Sequence, residues 1–82
     1  MKYKIGFKQR AAKDLRSTNR DDAQRILNKI QAMENDLAGN VKHLTKFEPQ
    51  YRLRVGNYRV LFNIEDDYII IYRIKYRREA YS

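Results

Sequence analysis

Arginine recurs at alternate positions in the run Tyr51-Arg52-Leu53-Arg54-Val55, and Arg59 follows Gly56-Asn57-Tyr58. Guanidinium groups at this spacing suit one kind of chemistry. Their planar forks match phosphate oxygens in pairs, so a cluster can hold a phosphodiester and stabilise the extra charge of a phosphorane. They are poor proton acceptors, because arginine stays protonated. A second basic group, Arg77 and Arg78 with Tyr81, comes at the end of the chain. Basic side chains interleaved with Tyr58, Tyr76 and Tyr81 offer phosphate contacts together with stacking planes for unpaired bases. The combination points to single-stranded RNA, which carries its own nucleophile in the 2′-hydroxyl. An enzyme then has to orient that hydroxyl, stabilise the phosphorane and protonate the leaving oxygen.

These residues must be positioned by a hairpin. Tyr51, Leu53 and Val55 alternate with arginines, and Tyr58, Val60, Phe62 and Ile64 resume the same period of two after Gly56-Asn57. A two-residue primed turn at Gly-Asn pairs Val55 with Tyr58, Leu53 with Val60 and Tyr51 with Phe62. One face is then apolar. On the other face Arg54 falls opposite Arg59, and Arg52 falls opposite Leu61. Like charges placed directly across a strand pair are destabilising by about 0.2–1 kcal/mol, so folding alone gives no reason for them. The competing structural reading is a solvated sheet face on which arginine happens to sit.

The rest of the chain reads as scaffold. Tyr3, Ile5 and Phe7 alternate with polar residues, which predicts a first strand. Ala11, Ala12 and Leu15 then take helical spacing, ending at Ser17-Thr18-Asn19. Asn19 or Asp21 can cap a second helix, where Ala23, Ile26, Leu27, Ile30, Met33, Glu34 and Leu37 trace one stripe at helical spacing that Gly39-Asn40 is expected to stop. Val41 to Gln50 reads as a loop, because Pro49 argues against a central strand. Its Lys42, His43 and Lys46 add charge near the arginine-bearing strand, and Lys46 is a candidate RNA contact. After an acidic turn at Glu65-Asp66-Asp67, of two or three residues, the run Tyr68 to Ile74 is apolar on both faces and is expected to be the most buried and central strand. The order strand, two helices, three strands gives an α+β domain: a mainly antiparallel four-stranded sheet, β-α-α-β-β-β, with a helical hairpin on one face and the arginines on the other.

Composition bounds the rest. At 82 residues the chain is one domain, residues 1–82, near the small end of what a single core supports. It has no cysteine and a single histidine, which excludes thiol catalysis, a disulfide framework and a thiolate zinc site, and speaks against a histidine-built metal centre. No segment approaches the roughly 20 apolar residues of a membrane span and no secretory apolar region follows Met1, so the cytoplasm is the expected compartment. A net charge of +8 calls for a polyanionic or acidic partner, with nucleic acid the leading candidate.

The residues resemble the RelE/ParE superfamily of toxins from bacterial toxin–antitoxin systems. The likeness covers essentially the whole chain and is strongest over YRLRVGNYRVLF, Tyr51 to Phe62, and the closing RREAY, Arg77 to Tyr81. It implies an endoribonuclease of the RelE branch, which cuts messenger RNA in the ribosomal A site through the RNA 2′-hydroxyl without metal or other cofactor. By resemblance, Arg52 and Arg54 take the positions of two strand lysines, and Arg59 that of a phosphate-binding arginine. Arg77 matches the tail arginine that serves as general acid, and Tyr81 a terminal tyrosine that stacks on or orients the RNA. Arginine at the strand-lysine positions favours charge stabilisation over general-base work, and Tyr76 stands where many relatives have histidine. Glu48, Glu79 and His43 are further candidates for proton transfer. The implied partners are a cognate antitoxin, the ribosome with its messenger RNA, and operator DNA only through the antitoxin. No membrane partner is implied. The alternative is a ParE-like inhibitor of DNA gyrase, or a catalytically inactive interaction module.

Overall fold

The computed structural model describes residues 3–35, 37, 41–44, 46 and 48–76. Strand β1, Lys4–Phe7, leads into helix α1, Gln9–Arg16, and helix α2, Arg20–Ala32. Strands β2, Val41–His43, β3, Tyr51–Val55, β4, Tyr58–Glu65, and β5, Tyr68–Tyr76, complete one sheet in the order β1-β5-β4-β3-β2. The pairings are antiparallel except that of β1 with β5. The fold is therefore the α+β architecture expected, with one more strand than the sequence suggested. Val41–His43 is not loop: it pairs with β3 as the edge strand, while Pro49 stays in the connection that follows, where it withholds no ladder hydrogen bond.

The helices are built by local chemistry. The Asn19 side chain accepts a hydrogen bond from the Asp22 amide at 2.9 Å, and Asp21 and Asp22 sit in the first turn of α2, where carboxylates favour the positive end of the helix dipole. Of the two residues that could have capped this helix, Asn19 does so. Helix α2 ends at Ala32, earlier than its apolar stripe implied. The amides of Met33, Glu34 and Asn35 turn back to carbonyls three residues before them, tightening the chain into turns. Gly39-Asn40, expected to stop it, lies outside the described residues.

Ala11, Ile26 and Ile30 of the helices pack with Leu53, Val55, Val60, Phe62, Ile69, Ile71 and Ile74 of the sheet in one core. The middle strand is β4, with four consecutive buried residues from Arg59 to Phe62, whereas β5 lies one position off centre. The expectation of a central β5 is thus corrected: Ile70 belongs to the face without helices and is only partly buried. Tyr72 is an extra residue in β5, because Leu61 pairs with Arg73 and Phe62 with Ile71. This bulge changes the parity of the strand, so Ile69 and Ile71 face the helices before it and Ile74 and Tyr76 do so after it.

Helix α1 is locked to the sheet through Asp14. Strand β1 ends opposite Ile71, leaving the later part of the β5 edge bare. There the Asp14 carboxylate accepts the Ile74 amide at 3.0 Å and two hydrogen bonds from Arg73, at 2.7 and 3.1 Å. Burial by itself would raise the Asp14 pKa, but Arg73, the Ile74 amide and the charge of Arg10 outweigh it and hold the carboxyl below its usual value. A depressed folded-state pKa adds stability that is complete above the unfolded value, about 3.9, and is lost as pH falls through the lower folded value. Denaturant midpoints measured down the acid range should fall in that window for the wild type. An Asp14→Asn protein should show a shallower fall.

At the β3–β4 turn the left-handed conformation falls on Gly56, φ +57°, while Asn57 is not left-handed. A Cβ there would meet Arg25 Nη1 at an ordinary 3.7 Å, so the obstacle to substitution is backbone conformation rather than space. Gly56→Ala is expected to destabilise the protein by about 1–2 kcal/mol, read as a lowered melting temperature with the structure retained.

Candidate nucleic-acid interface

The hairpin pairs as its sequence predicts: Tyr51 with Phe62, Arg52 with Leu61, Leu53 with Val60, Arg54 with Arg59 and Val55 with Tyr58. Since Leu53 and Val60 face the helices, Arg52, Arg54 and Arg59 share the opposite, open face. The neighbouring strands extend the cluster. Lys42 of β2 lies opposite Arg52, and Lys75 of β5 lies opposite Arg59. One row thus crosses Lys42, Arg52, Leu61 and Arg73, and the next crosses Arg54, Arg59 and Lys75, with neighbouring Cα atoms about 4.5–5.5 Å apart. Sequence reasoning missed Lys75 as a member, because its place depends on the bulge at Tyr72, and it treated Lys42 as loop charge.

Arg59 is the one buried charged residue among those described, 7% exposed, although it sits on the face without helices. Its Nη1 donates to the Tyr58 carbonyl at 3.3 Å. The Nε atoms of Arg59 and Arg52 are both shielded from solvent and have no hydrogen-bond partner among the described residues. A buried donor left unsatisfied costs about 1–3 kcal/mol, and more for a charged group. Two such donors, on a face where Arg54 and Lys75 already repel Arg59, leave a polar demand of the kind an anion is chemically suited to meet.

One carboxylate borders this face. Asn63, two residues beyond Leu61 on the same side of β4, donates from Nδ2 to Glu48 Oε1 at 2.7 Å and accepts the Gln50 amide at 2.6 Å. The connection between β2 and β3 is thereby tied to the border of the arginine cluster, with the Leu44 amide closing it on the Gln50 carbonyl. Lys46 is exposed on that connection in a left-handed conformation, φ 69°. His43 does not join the cluster: it pairs with Tyr51 on the helix side, its ring 5.0 Å from the tyrosine ring.

Tyr58 and Tyr76 also lie on the helix side rather than among the arginines. They are a cross-strand pair with ring centroids 5.3 Å apart, edge to face. The Tyr58 hydroxyl donates to Asp22 of α2 at 3.3 Å, and burial, followed by the Asp22 charge, pushes its pKa up. Both rings line a cleft of 160 Å³ with Asp22, Arg25 and Gly56. Arg77, Arg78, Glu79 and Tyr81 fall outside the described residues. No cluster of metal-binding side chains occurs among the described residues, and no helix among them is long and apolar enough to cross a membrane.

This five-stranded sheet with its two helices superposes on solved RelE-type toxins. The chain is similar to the RelB–RelE antitoxin–toxin complex of Methanococcus jannaschii, with a TM-score of 0.77, 29% identity and coverage of 93% of this chain and 94% of that one. It is similar also to the archaeal RelE–RelB complex of Pyrococcus horikoshii OT3, with a TM-score of 0.78, 27% identity and coverage of 98% and 100%. Toxin RelE3 of Methanocaldococcus jannaschii is 38% identical over 48 residues, covering 58% of this chain and 54% of that relative, so the match spans about half the relative's length. Residues 5–81 match the family described as the ParE toxin of the type II toxin–antitoxin system ParDE, and the chain belongs to that family, within the RelE/ParE superfamily.

Proposed function

We propose that this toxin is an endoribonuclease that cuts messenger RNA on the ribosome and is held inactive by a cognate antitoxin. The observation that carries the reading is the pair of buried Nε atoms of Arg52 and Arg59, without partners among the described residues, on an open face rich in cations. In this reading Arg59 and Arg52 grip the scissile phosphate, and Arg54 and Lys75 supply further positive field. The RNA 2′-oxygen attacks phosphorus and loses its proton. The bond to the 5′-oxygen breaks, and that oxygen takes up a proton, leaving a 2′,3′-cyclic phosphate and a 5′-hydroxyl. Glu48, oriented by Asn63, is the group we assign to accept the 2′-proton. Arg77 is assigned as proton donor, and Tyr81, Lys46 and Arg78 as RNA contacts. Tyr58 and Tyr76, on the other face, would meet RNA only beyond the scissile site. The RelE relatives named above were solved with RelB antitoxins, which supports an antitoxin partner here. Operator DNA would be reached only through that antitoxin, and the cytoplasm is where such a pair would work.

Primer extension on translating ribosomes tests the reading, with wild type compared with Arg59→Ala and Arg77→Ala. Growth arrest without any new RNA ends would sink it. Glu48→Gln should slow cleavage about 10²–10⁴-fold, the usual contribution of a positioned acid or base, while ribosome binding persists. A second reading, inhibition of DNA gyrase, is favoured by the match to the ParE toxin family. A supercoiling assay with purified gyrase separates the two, since the endonuclease leaves supercoiling unchanged. An inactive interaction module would do neither.

A further inference from the structure

Helix α1 carries charge that its own folding explains only in part: Lys13 and Arg16, in its last turn, complement the helix dipole, whereas Lys8 and Arg10 lie at its positive end. From Lys8 to Arg20 the exposed residues are Lys8, Gln9, Arg10, Lys13, Arg16, Ser17, Asn19 and Arg20, so five are cationic and none is acidic. Asp14, the one carboxylate in this stretch, is engaged by Arg73 and the Ile74 amide. Arg10, Lys13 and Arg16 follow one another at i, i+3 spacing, where like charges destabilise a helix by about 0.2–0.5 kcal/mol per pair. The helix also begins against its dipole: Lys8 at the N-cap makes no side-chain cap hydrogen bond, and the first turn has no acid. Helix α2, eleven residues on, has both an Asn cap and two acids in its first turn. The rules that the chain obeys in α2 are broken in α1, and such local breaches mark functional surfaces.

The position of α1 gives this charge a use. The Asp14 clamp fixes the helix at the bare edge of β5, where Arg73 comes over from the open face. Arg10, one turn before Asp14 and close enough for its charge to act on that carboxylate, therefore brings the cations of α1 to the rim of the positive face of the sheet. No large apolar side chain is exposed between Lys8 and Arg20, so the surface lacks the aromatic or aliphatic anchors on which protein interfaces rely. A surface of solvated cations without anchors suits a phosphodiester backbone, which is bound through charge and counterion release.

We propose that the outer surface of α1 is a second RNA-binding surface, engaging the backbone of double-stranded RNA without reading sequence, while the arginine face holds the strand to be cut. The inference rests on the proposed function in taking RNA as the ligand. The triple variant Arg10→Gln/Lys13→Gln/Arg16→Gln leaves Asp14 and the arginine face intact. A blunt RNA duplex of about 16 base pairs serves as probe, the span of a double-stranded RNA module, with binding measured from low to moderate salt and circular dichroism confirming the fold. Relative to wild type, the triple variant should bind the duplex at least about tenfold more weakly. Its plot of log affinity against log salt should be shallower by about 2, from roughly 0.7–0.9 per lost phosphate contact. Lys29→Gln, a change at an exposed cation of α2 outside both surfaces, should bind the duplex as wild type does. Lys13→Gln alone should show the same change in smaller measure, which covers the case in which the triple variant fails to fold. Unchanged duplex affinity and slope in the variants, or no duplex binding by the wild type, would overturn the proposal. So would loss of antitoxin binding with duplex binding intact, which would make α1 a protein-binding surface. Duplex binding that depends on α1, together with a wild type that cuts nothing on ribosomes, would leave this surface standing and remove the nuclease reading alone.

Discussion

An Arg59→Met protein is expected to cut ribosome-bound messenger RNA about 10²–10³-fold more slowly than wild type, the usual loss when one preorganised charge-stabilising donor is removed, and yet to melt at a higher temperature. Methionine keeps the length and apolar packing of the arginine stem. What disappears is the charge facing Arg54 and Lys75 across two strand pairs, and the Nε that has no partner. The one described hydrogen bond lost is the 3.3 Å contact from Nη1 to the Tyr58 carbonyl, long enough to be weak. Relief of an unsatisfied buried donor, about 1–3 kcal/mol, exceeds that loss. For a domain of this size each kcal/mol is worth about 4–8 °C. Calorimetry and primer extension on the same preparation read both effects. A variant that cleaves normally, or that melts lower than wild type, would show that Arg59 is a structural residue and not half of a waiting anion site.

Asp14→Ala should be the most damaging change to a charged side chain away from the arginine face, at about 3 kcal/mol of stability. The carboxylate makes two hydrogen bonds to Arg73 and one to the Ile74 amide, and its side chain is 19% exposed. Hydrogen bonds to charged groups are worth about 1.5–3 kcal/mol each and do not add fully. Alanine also leaves the Ile74 amide without its described acceptor at a sheet edge and loosens α1 from β5. In a protein of this length total stability is on the order of 4–12 kcal/mol, so the change removes a large share of it. Asp14→Asn should fall between the two, because an amide oxygen can still accept from Ile74 but carries no charge for Arg73. Urea unfolding of the three proteins at neutral pH gives the ranking directly. A loss below about 1 kcal/mol for the alanine variant would mean that the helix is held by its apolar contacts alone.

The open-face arginines and the structural arginine come from strands that look alike in sequence. Arg52, Arg54, Arg59 and Arg73 each alternate with apolar residues, and alternation reports only which face a side chain starts from. Arg73 was not singled out, and tertiary structure gives it to Asp14, fifty-nine residues away in sequence, while Arg59 is left between two other cations. Tyr58 and Tyr76 illustrate the converse. Both sit beside arginines in sequence, which suggested a stacking surface, but alternation turns Tyr58 away from Arg59. The bulge at Tyr72 then brings Tyr76 to the same side.

What the amino-acid sequence determined by itself was short in range: the β3–β4 hairpin and its register, a helix cap at Asn19 or Asp21, and an arginine face opposite an apolar one. These follow from turn geometry, capping hydrogen bonds and the pleat, all settled among residues a few positions apart. Tertiary structure alone decided the parallel pairing of β1 with β5, the fifth strand at Val41–His43, the place of Lys75 beside Arg59, and the burial of two guanidinium nitrogens without partners. Each of those depends on which distant strands meet and in what register. One extra residue in β5 is enough to reverse the faces, and it leaves no mark in the local pattern.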